Sequence, residues 1–175
     1  MYRRILVPVD GSKLAECVLP HVETLAKGCS AEEVILLNVT ERLSAERPVI
    51  RSSARHPAPL SAPETVLESL PEPEPITKLP LSIGKKQEQA NKYLNKLARK
   101  LQDKGIKVRT RVLLGQPAEE IAAYAENEDC DLIVMASHGR SGISRWAYGS
   151  VADKVFRASP VPVLMVKEPG STAGT

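Results

Sequence analysis

The sequence predicts an α/β protein: a doubly wound sheet of five mostly parallel strands with helices on both faces. Three observations carry the prediction. Short, continuous apolar runs recur at 5–9, 34–39, 132–136 and 161–166. Continuous rather than alternating apolarity marks strands covered on both faces, as in a parallel sheet. Segments of helical periodicity separate these runs, so strand and helix alternate. Aromatic residues make up only 3% of the chain, so the core is expected to be aliphatic.

The first run, ILVPV, ends at Asp10-Gly11-Ser12, a turn signature. Pro8 lacks an N–H and belongs near the strand's end. Ser12 as cap and Glu16 in the first turn predict a helix to about Lys27, kinked at Pro20 and stopped by Gly28. The second strand follows at 34–39. From about 41 to 84 the chain holds Pro48, Pro57, Pro59, Pro63, Pro71, Pro73, Pro75 and Pro80. PEPEP at 71–75 excludes regular helix and central strand, so this stretch reads as a Pro-rich insertion.

Order resumes between Gly84 and Gly105. Ala90, Tyr93, Leu94, Leu97, Ala98 and Leu101 share one helical face. Residues 108–113 alternate and predict a strand nearer the sheet edge. Gly115-Gln116-Pro117 opens the next helix, with Glu119 and Glu120 in its first turn. The strand at 132–136, a helix from about Ser150 to Ala158, and a last strand from Val161 to Val166 complete one domain over 1–168. Residues 169–175 read as a flexible tail.

Composition narrows the function. A net charge of +3 and mixed charge patterning supply no polybasic arm, so no nucleic-acid partner is expected. Cys17, Cys29 and Cys130 are odd in number and form no CxxC, which argues against a disulfide framework or zinc site and for a reducing cytosol. The first apolar run is too short for a signal peptide or a spanning helix, so a cytoplasmic protein without membrane contact is expected. His21 and His56 lie in separate segments, and no metal cluster is evident.

Ligands on such sheets sit beyond the carboxyl ends of the strands, where strand order reverses. Two strand ends carry suitable chemistry. One leads into ASHGRSGISRWAYGSVADKV, residues 136–155. Gly139 and Gly142 allow backbone amides to approach an oxyanion closely. Gly149-Ser150 then begins a helix, whose open N–H groups and dipole favour an anion, each interaction worth about 0.3–1 kcal/mol. A polyphosphate between loop and helix start meets both donor sets. The spacing alone is a weak signal, equally readable as turn and cap residues, and neither GxxxxGK[ST] nor GxGxxG is present. At the other strand end Asp10 either accepts hydrogen bonds from a base or ribose or caps the first helix. Val9 and Val39, at neighbouring strand ends, are candidates for the walls of an apolar purine slot. His138 either meets phosphate or bonds its own loop. No Ser-His-Asp arrangement is present.

ILVPVDGS (5–12), MASHGRSGISRWAYGSVADKV (135–155) and PVPVLMVK (160–167) resemble the universal stress protein family. The resemblance implies a flavodoxin-like fold with strand order 3-2-1-4-5. The family's nucleotide-binding branch carries Gly, two residues, Gly, nine residues, then Gly-Ser or Gly-Thr. Gly139, Gly149 and Ser150 match it, while Ala136 stands at the first position. The resemblance implies that Asp10 and Val39 line the adenine–ribose end. It implies that Ala136, Gly139, Gly149 and Ser150 surround ribose and phosphates, with His138 and Arg140 nearby. Pro8, Val9, Met135 and Val151 complete the expected site. The implied ligand is ATP, or AMP or ADP, with Mg²⁺ or Mn²⁺. The implied assembly is a homodimer whose last strand, Val161 to Val166, pairs antiparallel with its copy; an unpaired apolar edge would otherwise be an aggregation hazard.

The expected function is that of an adenine-nucleotide-binding regulatory protein of the stress response, at most a slow ATPase, because no general base is found. The alternative is a protein-interaction module without nucleotide, in which the insertion recruits a protein partner. A phospho-acceptor receiver domain needs an acidic pair after the first strand, and Asp10 stands alone there.

Overall fold

Five strands hydrogen-bond in the order β3-β2-β1-β4-β5, and every pairing is parallel. They are β1 (Arg4–Pro8), β2 (Glu33–Thr40), β3 (Val108–Leu114), β4 (Leu132–Ala136) and β5 (Val163–Val166), connected through helices α1 (Leu19–Gly28), α2 (Leu81–Gln102), α3 (Pro117–Asn127) and α4 (Ser150–Ala158). This is a computed structural model describing residues 2–40, 81–137 and 149–167. Of the expected insertion, residues 41–80 lie outside the described residues, while 81–84 already belong to α2. The expected flexible tail also lies outside them.

Alternate residues of each central strand serve opposite faces of the sheet. Ile5, Val7, Val34, Leu36, Leu132 and Val134 pack with Val22 and Ala26 of α1 and with Leu94, Leu97, Ala98 and Leu101 of α2. Leu6, Ile35, Leu37, Ile133 and Met135 pack with Ile121, Tyr124 and Ala125 of α3 and with Ala152 and Val155 of α4. The continuous apolar runs are therefore two interleaved sets of core residues, and the aliphatic core expected from composition is what both layers contain.

Two boundaries differ from expectation. The helix predicted from Ser12 with a kink at Pro20 is instead a 3-10 turn, Leu14–Val18, followed by α1 with Pro20 in its first turn. There the missing proline N–H costs no helical bond, so proline starts the helix rather than bending it. Ser12 does cap, its Oγ accepting from the Ala15 N–H at 3.1 Å, but what it caps is the 3-10 turn. The last strand begins at Val163, not Val161. Pro162 has no ladder donor, and the Val161 N–H is turned to the Ser159 hydroxyl oxygen at 3.2 Å.

The amino ends of the strands are linked by polar contacts. The Asp131 carboxylate accepts from the Arg3 and Arg4 N–H groups at 2.9 and 2.8 Å. Arg109, on β3, bridges Glu33 at 3.1 Å and Glu128 at 2.9 Å. β3 is an edge strand, as its alternating pattern predicts.

Candidate functional site

The chain winds from β1 outward to β2 and β3, then crosses to the other side of β1 for β4 and β5. The reversal lies between β1 and β4, so the crevice sits between Pro8 and Ala136 at their carboxyl ends.

On the β1 side, Pro8 is half-buried and ends the strand. Beyond it, the Val9 N–H donates to the Leu37 carbonyl at 2.8 Å, and the Asn38 side-chain amide donates to the Val9 carbonyl at 2.7 Å. Gly11 follows at φ 83°, a left-handed conformation that a side chain would oppose. Asp10 Oδ1 accepts from the Ser12 N–H at 2.9 Å, so one carboxylate oxygen fixes the turn. Asp10 therefore does serve as a turn residue, and the turn holds its carboxylate at the crevice.

β1 and β2 pair with Pro8 opposite Leu37. Continuing that register sets Asp10 beside Val39 and Val9 beside Asn38. This corrects the expected apolar slot. Val9 is buried in the layer under α1 and α2, whereas Val39 packs with the layer under α3 and α4. The two side chains point to opposite faces and do not wall one slot, because they sit one register position apart. Asp10 and Val39, by contrast, share one level of the rim.

On the β4 side, Met135 is buried under α3 and α4. Ala136 is half-buried, lies in extended strand and packs toward the α1–α2 layer. Its methyl group thus stands on the face away from α4, and its backbone does not need glycine. Ser137 is buried; its N–H donates to the Val166 carbonyl at 2.9 Å, and its own carbonyl accepts from the Gly149 N–H at 2.8 Å. These bonds fix the start of α4 against the ends of β4 and β5.

Gly149 is the N-cap of α4 and has no side chain with which to cap it. In helix geometry the amides of Ser150, Val151 and Ala152 have no acceptor one turn back. With Ser150 exposed and Val151 half-buried at the first turn, this end presents donors without helical acceptors and the positive end of a helix dipole. An anionic group fits that chemistry. His138, Gly139 and Arg140 lie outside the described residues. Among the described residues no group of three metal-ligating side chains is present.

The sequence model of the universal stress protein family matches residues 1–167. The chain belongs to the universal stress protein family. Universal stress protein MJ0577 of Methanocaldococcus jannaschii is 36% identical over 171 residues, which span 98% of each chain. A solved structure of MJ0577 superposes with a TM-score of 0.69 and 31% identity, covering 97% of this chain and 99% of that one. Two more distant structures share the fold. A universal stress protein in complex with cAMP has a TM-score of 0.57 at 19% identity, covering 94% of this chain and 96% of its own. A family protein of Arabidopsis thaliana with AMP bound has a TM-score of 0.58 at 12% identity, covering 99% of this chain and 97% of its own. The flavodoxin-like fold and its strand order are those of the family.

Two residues beside the candidate site escaped the sequence reading. Asn38 interrupts an apolar strand, and a lone polar residue in such a run was the available signal. Lys154 lies one helical turn after Ser150, a spacing that places both on one face of α4.

Proposed function

We propose that this universal stress protein binds adenine nucleotides, ATP above all, as a cytoplasmic regulator of the stress response with at most slow ATP hydrolysis. The carrying observation is the start of α4 at Gly149-Ser150, held against the end of β4 by the Gly149 N–H to Ser137 carbonyl bond, beside the reversal of strand order between β1 and β4. On this reading Asp10 and Val39 take the adenine–ribose end with the backbone of Pro8 and Val9. Ala136, Gly149, Ser150 and Val151 surround the phosphates, joined by His138, Gly139 and Arg140; Met135 supports the β4 end from the core. Mg²⁺ or Mn²⁺ accompanies the phosphates, held mainly by phosphate oxygens and water. The adenine nucleotides bound by two relatives of the same fold support the ligand class.

We further propose a single domain over 1–168 that forms a homodimer by pairing of β5 with its copy. Leu164 is 38% exposed on that edge strand, and Phe156 of the adjoining α4 is 57% exposed. No helix among the described residues is long and apolar enough to cross a membrane.

The experiment is to denature the purified protein, identify any released nucleotide, and measure melting with added ATP. Release of adenine nucleotide or a concentration-dependent rise in melting temperature is expected. Neither outcome appearing would remove the proposal.

A further inference from the structure

A cavity of about 170 Å³ opens between the first turn of α3 and the first turns of α4. Gln116, Pro117, Ala118 and Glu119 form one wall, and Ser150, Val151 and Lys154 form the other. Whole small-molecule sites run to roughly 300–1,000 Å³, so this is an annex to a site rather than a complete one. It holds several groups of water size, at roughly 30 Å³ each, which suits a phosphoryl group.

We infer that this cavity seats the terminal phosphates of a bound nucleotide, and that Lys154 distinguishes a nucleoside triphosphate from a monophosphate. The inference rests on the nucleotide reading above and extends it to residues outside the family motif. Its basis is continuity: Ser150 and Val151 belong both to the proposed phosphate seat and to the cavity wall. A phosphate chain leaving Ser150 along α4 meets the Lys154 ammonium one turn on. Asp153, the acidic residue of that first turn, is engaged by Arg157 at 3.0 Å. The opposing charge in the cavity is Glu119. With Lys154 present, the two side chains balance and the ends of α3 and α4 tilt the cavity positive. With Lys154 neutral, a terminal phosphate faces the Glu119 carboxylate. The α-phosphate, held at Ser150, is affected least.

Calorimetric titration of the full chain with AMP, ADP and ATP separately tests this, using wild type, Lys154→Met and Lys154→Arg. Lys154→Met is expected to weaken ATP roughly ten-fold, the scale of one lost charge-assisted contact. ADP should weaken less and AMP within about two-fold, with Lys154→Arg restoring most of the ATP affinity. Lys154 is exposed, so an unchanged melting temperature is expected for both variants. Equal losses for all three nucleotides, or no loss for ATP, would overturn the inference while leaving nucleotide binding intact. Wild-type protein that binds none of the three would instead overturn the nucleotide reading itself.

Discussion

The side-chain amide of Asn38 donates to the carbonyl oxygen of Val9 at 2.7 Å, with Asn38 only 8% exposed. The bond ties the end of β2 to the residue preceding Asp10. Asn38→Leu leaves that carbonyl without its partner, which costs about 1–3 kcal/mol for a buried polar group. Urea denaturation should show that loss of stability. Calorimetry should show weaker nucleotide binding as well, since the Asp10 turn is then tied to β2 only through the Val9 N–H to Leu37 carbonyl bond.

Gly149 has φ −55° and ψ 146°, angles open to any residue. Gly149→Val therefore keeps the fold but sets a branched side chain against the open amides of α4. The melting temperature should stay within a few degrees of wild type, while ATP affinity falls about ten-fold or more. Unchanged affinity would remove α4 as the phosphate seat.

Leu164 lies on the outer strand β5, and Ala136 of β4 pairs with Val166 on its inner side. A charge on an edge strand blocks strand addition. Leu164→Lys should convert the proposed dimer to monomer in sedimentation, with helix and strand content unchanged by circular dichroism. A dimer that persists would place the interface elsewhere.

The Arg4 and Arg3 N–H groups hold the Asp131 carboxyl below the usual carboxylate range. A depressed folded pKa contributes stability above the unfolded value of about 3.9, lost as pH falls through the folded value. Melting temperature should therefore decline below about pH 4. Asp131→Asn should flatten that part of the profile while lowering stability at neutral pH.

Burial pushes the Cys130 thiol up to about 11. Cys17 and Cys29 are half-buried. Iodoacetamide at neutral pH should leave Cys130 unmodified in the native protein and modify it on unfolding. Labelling of Cys130 at the rate of the other two would show that the layer under α3 opens readily.

Most of the architecture was legible because a strand covered on both sides must be apolar at every position, as 5–7, 34–37 and 132–135 are. Helix starts were legible where a chemical marker coincides with the boundary, as at Pro117 and Gly149-Ser150. The entry to α1 was not, since Ser12 caps a turn that the helix does not continue and Pro20 marks the true first turn. The purine slot failed for a different reason. Whether Val9 and Val39 share a face depends on a register of one residue between two strands, which neither run specifies alone. The same register makes Asn38 a partner of Val9. Lys154 was hidden because the cavity it lines is walled on its other side by α3, a segment distant in sequence.

Because all five strands run the same way, the segments 41–80, 138–148 and 168–175 leave the sheet from one side, after β2, β4 and β5. The opposite side is cross-linked by Asp131, Arg109 and their partners. Changes in length between β2 and α2, or after β5, can therefore be absorbed without shifting a single strand pairing. Proteins built on this plan can carry different inputs and outputs on one unchanged sheet, much as fittings are exchanged on one mounting plate.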